Sequence, residues 1–155
     1  MENPFMARAI DLAIHNVHTG KGGPFGAVIV RGHEILAEAS NSVTASNDPT
    51  AHAEVNAIRL ACQHAGAFEL KGCDIYTSCE PCPMCLGAIY WTRLEHVYYA
   101  SSADDAAASG FDDEFIYREL SKEPGERRIP MVQVMRQKAL AAFEAWRAFE
   151  GRIEY

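Results

Sequence analysis

Two short motifs, each placed where a helix is expected to begin, constrain this chain more than any other feature. The first is His52-Ala53-Glu54 and the second is Pro81-Cys82-Pro83-Met84-Cys85. A Cys-x-x-Cys pair at a helix amino terminus directs both sulfurs toward one point, where free backbone N–H groups and the helix dipole favour thiolates. One imidazole and two thiolates make a three-ligand metal set, so the fold is expected to bring the two helix starts together.

The number of ligands predicts the kind of metal site. Structural zinc sites are closed by four protein ligands, whereas catalytic sites leave the fourth position to water. Glu54 follows the ligand His52 by two positions, so its carboxylate can face the same cavity and carry protons. An H-x-E motif followed by P-C-x-x-C is the signature of zinc-dependent nucleobase deaminases. The residues therefore predict one zinc per subunit on His52, Cys82 and Cys85, with Glu54 as the catalytic acid and base of a hydrolytic deamination.

Three other interpretations of the same residues remain open at this point. Cys82 and Cys85 can form a redox pair, although His52 and Glu54 then have no role. They can also recruit Cys79 with His52 into a closed structural zinc site, or the chain can be a zinc-stabilised binding module without catalysis. The other two of the five cysteines, Cys62 and Cys73, are predicted to be buried small hydrophobes. The remaining histidines are predicted to be surface or capping residues: His15, His18, His33, His64 and His96.

The composition narrows the class of protein and of partner. A chain of 155 residues, 48% of them hydrophobic and 23% charged, is expected to form a single domain over residues 1–155. Its formal charge of −7 repels phosphate backbones, so we expect a small-molecule substrate and no nucleic acid. The odd number of cysteines and the lack of a signal peptide or a long apolar run predict a cytoplasmic protein without membrane contact.

Hydrophobic periodicity predicts helices and strands that alternate along the chain. The alternation favours an α/β sandwich with helices on both faces of a sheet. Residues 41–50 are predicted to form a polar loop. Strands are predicted over residues 26–30, 35–39, 73–77, 96–100 and 131–135, and helices over residues 5–18, 51–64, 82–91, 112–120 and 137–149.

The segments at residues 22–30 (GGPFGAVIV), 47–59 (NDPTAHAEVNAIR), 77–91 (TSCEPCPMCLGAIYW) and 110–117 (GFDDEFIY), with the final Glu154-Tyr155, carry a family resemblance. The sequence resembles the cytidine deaminase-like superfamily, and within it the small bacterial guanine deaminases. That resemblance implies a three-layer α/β/α sandwich with a five-stranded mixed sheet flanked by helices. It also implies a homodimer whose subunits exchange the C-terminal segment, so that Tyr155 closes the partner's active site.

The resemblance further implies which residues contact the purine, and the residue chemistry is compatible with it. Asn41 is expected at the base edge, because an amide can donate and accept, and Asp113 can accept from the donors of guanine. The backbone of Ala53 is expected to contact the purine too. Aromatic packing in the core is the competing role for Phe25, Trp91 and Tyr155, and helix capping is the competing role for Asp113. The implied substrate-binding set is Asn41, Phe25, Ala53, Trp91, Asp113 and Tyr155.

The function expected from the residues and the resemblance together is deamination of guanine to xanthine and ammonia. A tRNA adenosine deaminase shares both metal motifs and is the nearest alternative, although the acidic charge argues against it. A deaminase of another amino-heterocycle, such as cytosine or an amino-triazine, is the other enzymatic alternative.

Overall fold

The computed structural model describes residues 2–155. The chain divides into two compact units, one that runs to Glu114 and one of Phe115–Tyr155. The first unit contains the helices α1 (Pro4–His18), α2 (Val43–Ser46), α3 (Ala53–Ala65), α4 (Pro83–Thr92) and α5 (Ala103–Ala108) and the strands β1 (Gly26–Arg31), β2 (Glu34–Ser40), β3 (Asp74–Cys79) and β4 (His96–Ser101).

The four strands of the first unit form one mixed sheet in the order β2-β1-β3-β4. β1 runs antiparallel to both β2 and β3, whereas β3 and β4 are parallel. The parallel pair needs a crossover, which α4 supplies between β3 and β4. As a result β2, β3 and β4 all point the same way, and their carboxyl ends lie at one edge of the sheet.

The continuous apolar run in β1 reflects a strand that is covered on both faces. Ala27 and Ile29 point into a core with α3 and α4, together with Ile75 of β3. Val28 and Val30 point to the opposite face, where Ala9 of α1 belongs to the same cluster. The first unit is therefore the predicted α/β/α arrangement, with α1 on one face of the sheet and α3 and α4 on the other.

The ends of the helices follow from local chemistry. The Asn3 side chain accepts from the backbone N–H groups of Phe5 and Met6 at 3.0 and 3.1 Å and so caps the start of α1. Gly26 lets α1 approach β1 closely, because a Cβ atom at this position would lie 2.3 Å from the Ala9 carbonyl oxygen.

The boundaries around the metal motifs differ slightly from the predicted ones. α3 begins at Ala53 with His52 as its N-cap, not near Ala51. The reason is local, since the Asp48 side chain accepts from the backbone and hydroxyl of Thr50 at 2.8 and 2.7 Å and folds a turn before the helix. The predicted loop over residues 41–50 contains the single helical turn α2.

The second unit contains α6 (Glu114–Leu120), which spans the boundary of the two units, a 3-10 turn at Pro124–Glu126 and α7 (Arg136–Ala148). Residues 131–135 do not form the fifth strand that was expected, so within residues 2–155 the sheet has four strands. A strand needs a neighbour to bond with, and these residues are exposed instead, Val132 at 79% and Val134 at 73%. The predicted class of fold is confirmed, but the predicted number of strands is wrong for this chain.

Candidate active site

The sheet topology explains why residues distant in sequence meet at one edge. The carboxyl end of β3 leads into Cys82, and the carboxyl end of β2 leads into Asn41. β1 is antiparallel to both strands, so its beginning, next to Phe25, lies at the same edge; Gly26 pairs with Ser40. The Gly26 N–H donates to the Ser78 hydroxyl at 3.0 Å and joins β1 to the end of β3.

The three predicted metal ligands converge at this edge. His52 is the N-cap of α3 and Cys82 the N-cap of α4, with Cys85 one turn into α4. The donor atoms of His52, Cys82 and Cys85 all lie within 4.8 Å of one another. The imidazole Nδ1 is 3.5 Å from each of the two sulfurs. The positive ends of two helix dipoles therefore face the thiols.

These distances fit a tetrahedral zinc ion. Bonds of about 2.3 Å to sulfur and about 2.05 Å to nitrogen, at the tetrahedral angle, place nitrogen and sulfur about 3.6 Å apart. The observed distances of 3.5 Å from the His52 Nδ1 to each of the two sulfurs agree with this expected separation. The chemistry of the donors also fits, since imidazole and thiolate are the ligands that zinc prefers. With three protein ligands, the fourth position is available to water or substrate.

The contacts within the donor set shift the pKa values of Cys82 and His52 in opposite directions, which favours the charged form of each. A hydrogen bond from Cys85 and contacts with His52 lower the pKa of Cys82 to about 4. The hydrogen bond to Cys82 raises the pKa of His52 above its ordinary value. The pKa of Cys85 is raised, because its thiol donates to Cys82 and is buried. Cys82 is therefore the thiol of the pair that loses its proton more readily, and both thiols would have to lose their protons to bind a metal ion.

Glu54 lies directly against this donor set and is almost completely buried, with 6% of its surface exposed. Its Oε2 accepts from the Cys85 thiol at 3.4 Å. Burial raises the pKa of this carboxyl above its usual range, because the charged form loses its hydration. A carboxyl with these properties can hold a proton and release it again at the metal site.

Asn41 and Phe25 lie on two connected loops at the same edge. The Asn41 Oδ1 accepts from the Val43 N–H at 3.2 Å, which turns the Asn41 amide nitrogen away from that backbone. The Asn41 N–H donates to the Phe25 carbonyl at 3.0 Å. The Phe25 ring packs edge-on against Phe111, with 4.9 Å between the ring centres.

Asp113 is electrostatically part of the donor region. Burial and the negative charge of Cys82 raise the pKa of the Asp113 carboxyl. Asp112 accepts from the Glu114 N–H at 3.0 Å at the start of α6, whereas the role of Asp113 stays a prediction. Ala53, the first residue of α3, is fully buried beside His52.

Trp91, which is expected to line the base pocket, and Tyr155, which is expected to close the partner's site, are both exposed in this chain. Trp91, in the last turn of α4, has 63% of its surface exposed, and the Arg93 guanidinium lies 5.8 Å from its ring centre. Tyr155 belongs to the second unit and is 74% exposed. Packing in the core of the single chain is therefore ruled out for both residues.

A family model of the cytidine and deoxycytidylate deaminase zinc-binding region matches residues 1–101. Guanine deaminase from Bacillus subtilis is 58% identical over 151 residues, which are 97% of this chain and 97% of that protein. The chain belongs to the cytidine and deoxycytidylate deaminase family.

The similarity extends to a solved structure and to a second kind of deaminase. A crystal structure of guanine deaminase from Bacillus subtilis superposes with a TM-score of 0.97 at 56% identity and covers 100% of this chain and 99% of that chain. A tRNA-specific adenosine deaminase from Aquifex aeolicus is 45% identical over 78 residues, which are 50% of this chain and 52% of that protein. The family assignment, together with the donor geometry, makes this a zinc-binding deaminase and disfavours a redox pair or a purely structural module.

The alternative of Cys79 as a fourth zinc ligand is also disfavoured in this deaminase. Cys79 is not in the group of donors, and its thiol donates to the Ser102 carbonyl at 3.5 Å. Cys73 is buried as predicted, whereas Cys62 is only partly buried. The five histidines outside the site are all exposed, as predicted.

A second group of three potential metal donors lies at the other end of the parallel strand pair. Asp74, Glu95 and His96 approach one another there, at the amino ends of β3 and β4. Glu95 and His96 are exposed, and His96 already pairs with Asp74 at 2.9 Å. An exposed hydrogen bond between His96 and Asp74 accounts for this cluster in the deaminase.

Sequence reasoning missed three residues that support the predicted site. Phe111 contacts Phe25, and the amides of Asn16 and Asn56 bond to the loop that carries Asn41. The sequence itself indicates that Asn16 has a buried role. Asn16 follows Ala9 and Ala13 at helical spacing, and a polar residue on an apolar stripe needs an internal partner.

Proposed function

We propose that the chain is a zinc-dependent guanine deaminase, which converts guanine and water to xanthine and ammonia. The observation that carries the proposal is the similarity to a guanine deaminase over nearly the full length of both proteins, 58% identity over 97% of each. The donor set of His52, Cys82 and Cys85 with the adjacent Glu54 supplies the required chemistry.

Glu54 is the proton carrier in this proposal. His52, Cys82 and Cys85 would hold a zinc ion, which would supply a water molecule of lowered pKa as the nucleophile near neutral pH. Glu54 accepts a proton from the attacking water and delivers it to ring nitrogen 3 while the new C–O bond forms at carbon 2. A second transfer through the same carboxylate protonates the amine, the C–N bond breaks, and ammonia leaves. Burial of Glu54 keeps bulk water from competing for these protons.

Guanine recognition is assigned to the loops around the zinc site. Guanine presents N–H donors at ring nitrogen 1 and at its exocyclic amine, for which the Asp113 carboxylate is a suitable acceptor, while the Asn41 amide can donate to an acceptor on the purine. The Phe25 ring provides a flat apolar face. The backbone of Ala53 at the start of α3 and the exposed Trp91 complete the part of the pocket that one chain contributes.

The nearest rival substrate is a tRNA adenosine. The similarity to the tRNA-specific adenosine deaminase of Aquifex aeolicus extends over only 50% of this chain, and the formal charge of −7 opposes the phosphates of an RNA stem. Both observations favour a free nucleobase.

An ammonia-release screen tests the proposed substrate. Zinc-loaded protein is assayed with guanine, adenine, cytosine, their nucleosides, an amino-triazine and a tRNA anticodon stem. We expect guanine to give the highest kcat/KM. Turnover of another compound with none of guanine would refute the substrate assignment while leaving the zinc chemistry in place.

We also propose that both units form one deaminase domain over residues 1–155 and that the protein is a homodimer with exchanged C-terminal segments. No residue of 115–155, all of which the structure describes, is buried. Ile129, Val132 and Val134 expose 81, 79 and 73% of their surfaces, which favours burial against another copy. A groove of about 490 Å³ beside α1 and the end of β4, lined by residues such as Ile14 and Val17, is available in the first unit.

Mixing two inactive variants tests the exchange. Glu54→Gln lacks the proton carrier, and a chain that ends before Tyr155 lacks the residue proposed to close the partner's site. If the segments exchange, the mixed dimer contains one complete site and recovers activity after joint refolding. No recovery, with light scattering showing that mixed dimers form, would contradict the exchange.

The cytoplasm is the proposed location. Among residues 2–155, no helix combines the length and the apolar character that crossing a bilayer requires. None of the five cysteines forms a disulfide, which favours a reducing compartment.

A further inference from the structure

Two amide side chains that the proposed reaction does not use lie on either side of the Asn41 loop. Asn16 belongs to α1 and is 4% exposed, and Asn56 belongs to α3 and is partly buried. Asn16 interrupts the buried stripe of Ala9 and Ala13 on α1. An interior amide is costly unless it forms hydrogen bonds, so the partners of these two groups indicate what they do.

Asn56 joins the Asn41 loop to the start of the helix that carries the reacting groups. Its Nδ2 donates to the Ser40 carbonyl at 3.0 Å and lies 3.0 Å from the Ser42 hydroxyl. The same nitrogen lies 3.3 Å from the carbonyl of Ala51, the residue before His52. The Ser42 N–H closes the network by donating to Ala51 at 2.9 Å. Asn56 thus holds both neighbours of Asn41 against the turn that leads into His52.

Asn16 holds the same loop from the opposite side. Its Nδ2 donates to the carbonyl of Asn41 and to that of Gly23, each at 2.8 Å. Gly22 makes this approach possible, because a Cβ atom there would lie 2.3 Å from the Asn41 carbonyl oxygen and 2.9 Å from the Asn16 amide nitrogen. The main chain of Asn41 is therefore fixed by helices on both faces of the sheet.

We propose that Asn56 and Asn16 are positioning residues, which fix the location of Asn41 relative to the start of α3, where His52 and Glu54 lie. The inference rests on the proposed function, in which Asn41 contacts the base. Both amides act as donors toward backbone carbonyls, so an isosteric carboxylate in their place repels the loop that it should hold. Misplacing Asn41 weakens base binding and leaves the proton path through Glu54 intact, so the defect appears in KM more than in kcat.

A double-mutant cycle tests the proposal. Asn56→Asp and Asn16→Asp are each made in the wild-type and in the Asn41→Ala background, with Asn3→Asp as the matched control, because an aspartate caps α1 as well as asparagine. Zinc content and thermal unfolding are measured for every variant. We expect each interior substitution to raise KM about tenfold in the wild-type background, the equivalent of one lost hydrogen bond. In the Asn41→Ala background we expect a change of less than about twofold.

The outcomes separate this inference from its alternatives. Equal losses in both backgrounds, or a lower melting temperature with an unchanged KM, would overturn the positioning role and leave only a structural one. If Asn56→Asp does not fold, Asn56→Ala and Asn16→Asp carry the same cycle without a charge at position 56. If the wild-type protein does not deaminate guanine, the proposed function is refuted instead. The double-mutant cycle is then measured with the amino-heterocycle that the protein deaminates fastest.

Discussion

Replacement of Glu54 by glutamine separates metal binding from proton transfer in this site. The amide keeps the shape of the side chain and can still meet the Cys85 sulfur, which is 3.4 Å from the carboxylate, but it cannot carry a proton. General acid–base catalysis contributes about 10²- to 10⁴-fold. Because Glu54 is 6% exposed and bulk water cannot replace it, we expect a loss near the upper end, about 10⁴-fold in kcat. This corresponds to about 5.5 kcal/mol of activation free energy.

The assay measures ammonia release from guanine together with zinc stoichiometry and the melting temperature. Zinc content is expected to remain at one ion per chain, and the melting temperature is expected to stay the same or rise, because a buried carboxylate with a raised pKa is replaced by a neutral group. Glu34→Gln, at the exposed first residue of β2, is the matched control. Turnover of the Glu54 variant within about tenfold of wild type, a loss too small for general acid–base catalysis, would refute the role given to Glu54. Loss of zinc would show that it is a ligand.

Three further predictions test the site and the fold. Cys85→Ser is expected to abolish zinc binding and activity while Cys62→Ser retains both, as measured by metal analysis after gel filtration. Ile29→Ala, at a fully buried position, is expected to lower the free energy of unfolding by about 2–5 kcal/mol in urea titrations. The hydrogen bond from Arg8 lowers the pKa of Glu38 below its ordinary 4.5, so this pair stabilises the fold above that pH and less as the pH falls through the lowered value. Glu38→Gln should therefore cost about 0.2–1 kcal/mol at neutral pH and nothing in acid below that pKa.

The metal ligands could be predicted from the sequence because their chemistry and their local structure agree. Cys82 and Cys85 are fixed relative to each other by one helical turn, and His52 and Glu54 by the start of another. Zinc accepts few combinations of donors, so the pairing of the two motifs follows without knowledge of the sheet. The alternation of apolar runs likewise gave the class of fold, since β1 reads as a strand that is buried on both faces.

The residues around the metal were harder to predict because their positions depend on long-range packing. The apolar stripe of α1 indicates that Asn16 needs an internal partner, whereas Asn56 is an ordinary helical residue in the sequence. Which groups the two amides bond to depends on the meeting of α1, α3 and the β2 loop. Trp91 is expected at the base pocket from the resemblance, with core packing as the competing role. Its exposure of 63% excludes core packing, and its contact with the base stays a prediction.

The strand predicted over residues 131–135 failed for a related reason. Its apolar residues favour a strand, but a strand forms only where the edge of a sheet is available for pairing. The hydrophobic pattern of residues 131–135 does not show whether such an edge is within reach. The side chains of Val132 and Val134 remain exposed here.

The residues assigned to the reaction and those assigned to substrate recognition lie in different parts of the chain. All three zinc ligands and Glu54 lie within residues 1–101, the part that matches the family model, and they are held by helix starts at the rigid edge of the sheet. Asp113 and Tyr155, to which guanine recognition is partly assigned, lie beyond that part. Relatives that act on other substrates can therefore keep the same proton chemistry and vary the later segments. It follows that exchanging residues 110–155 between family members should change KM and substrate preference before it changes zinc affinity.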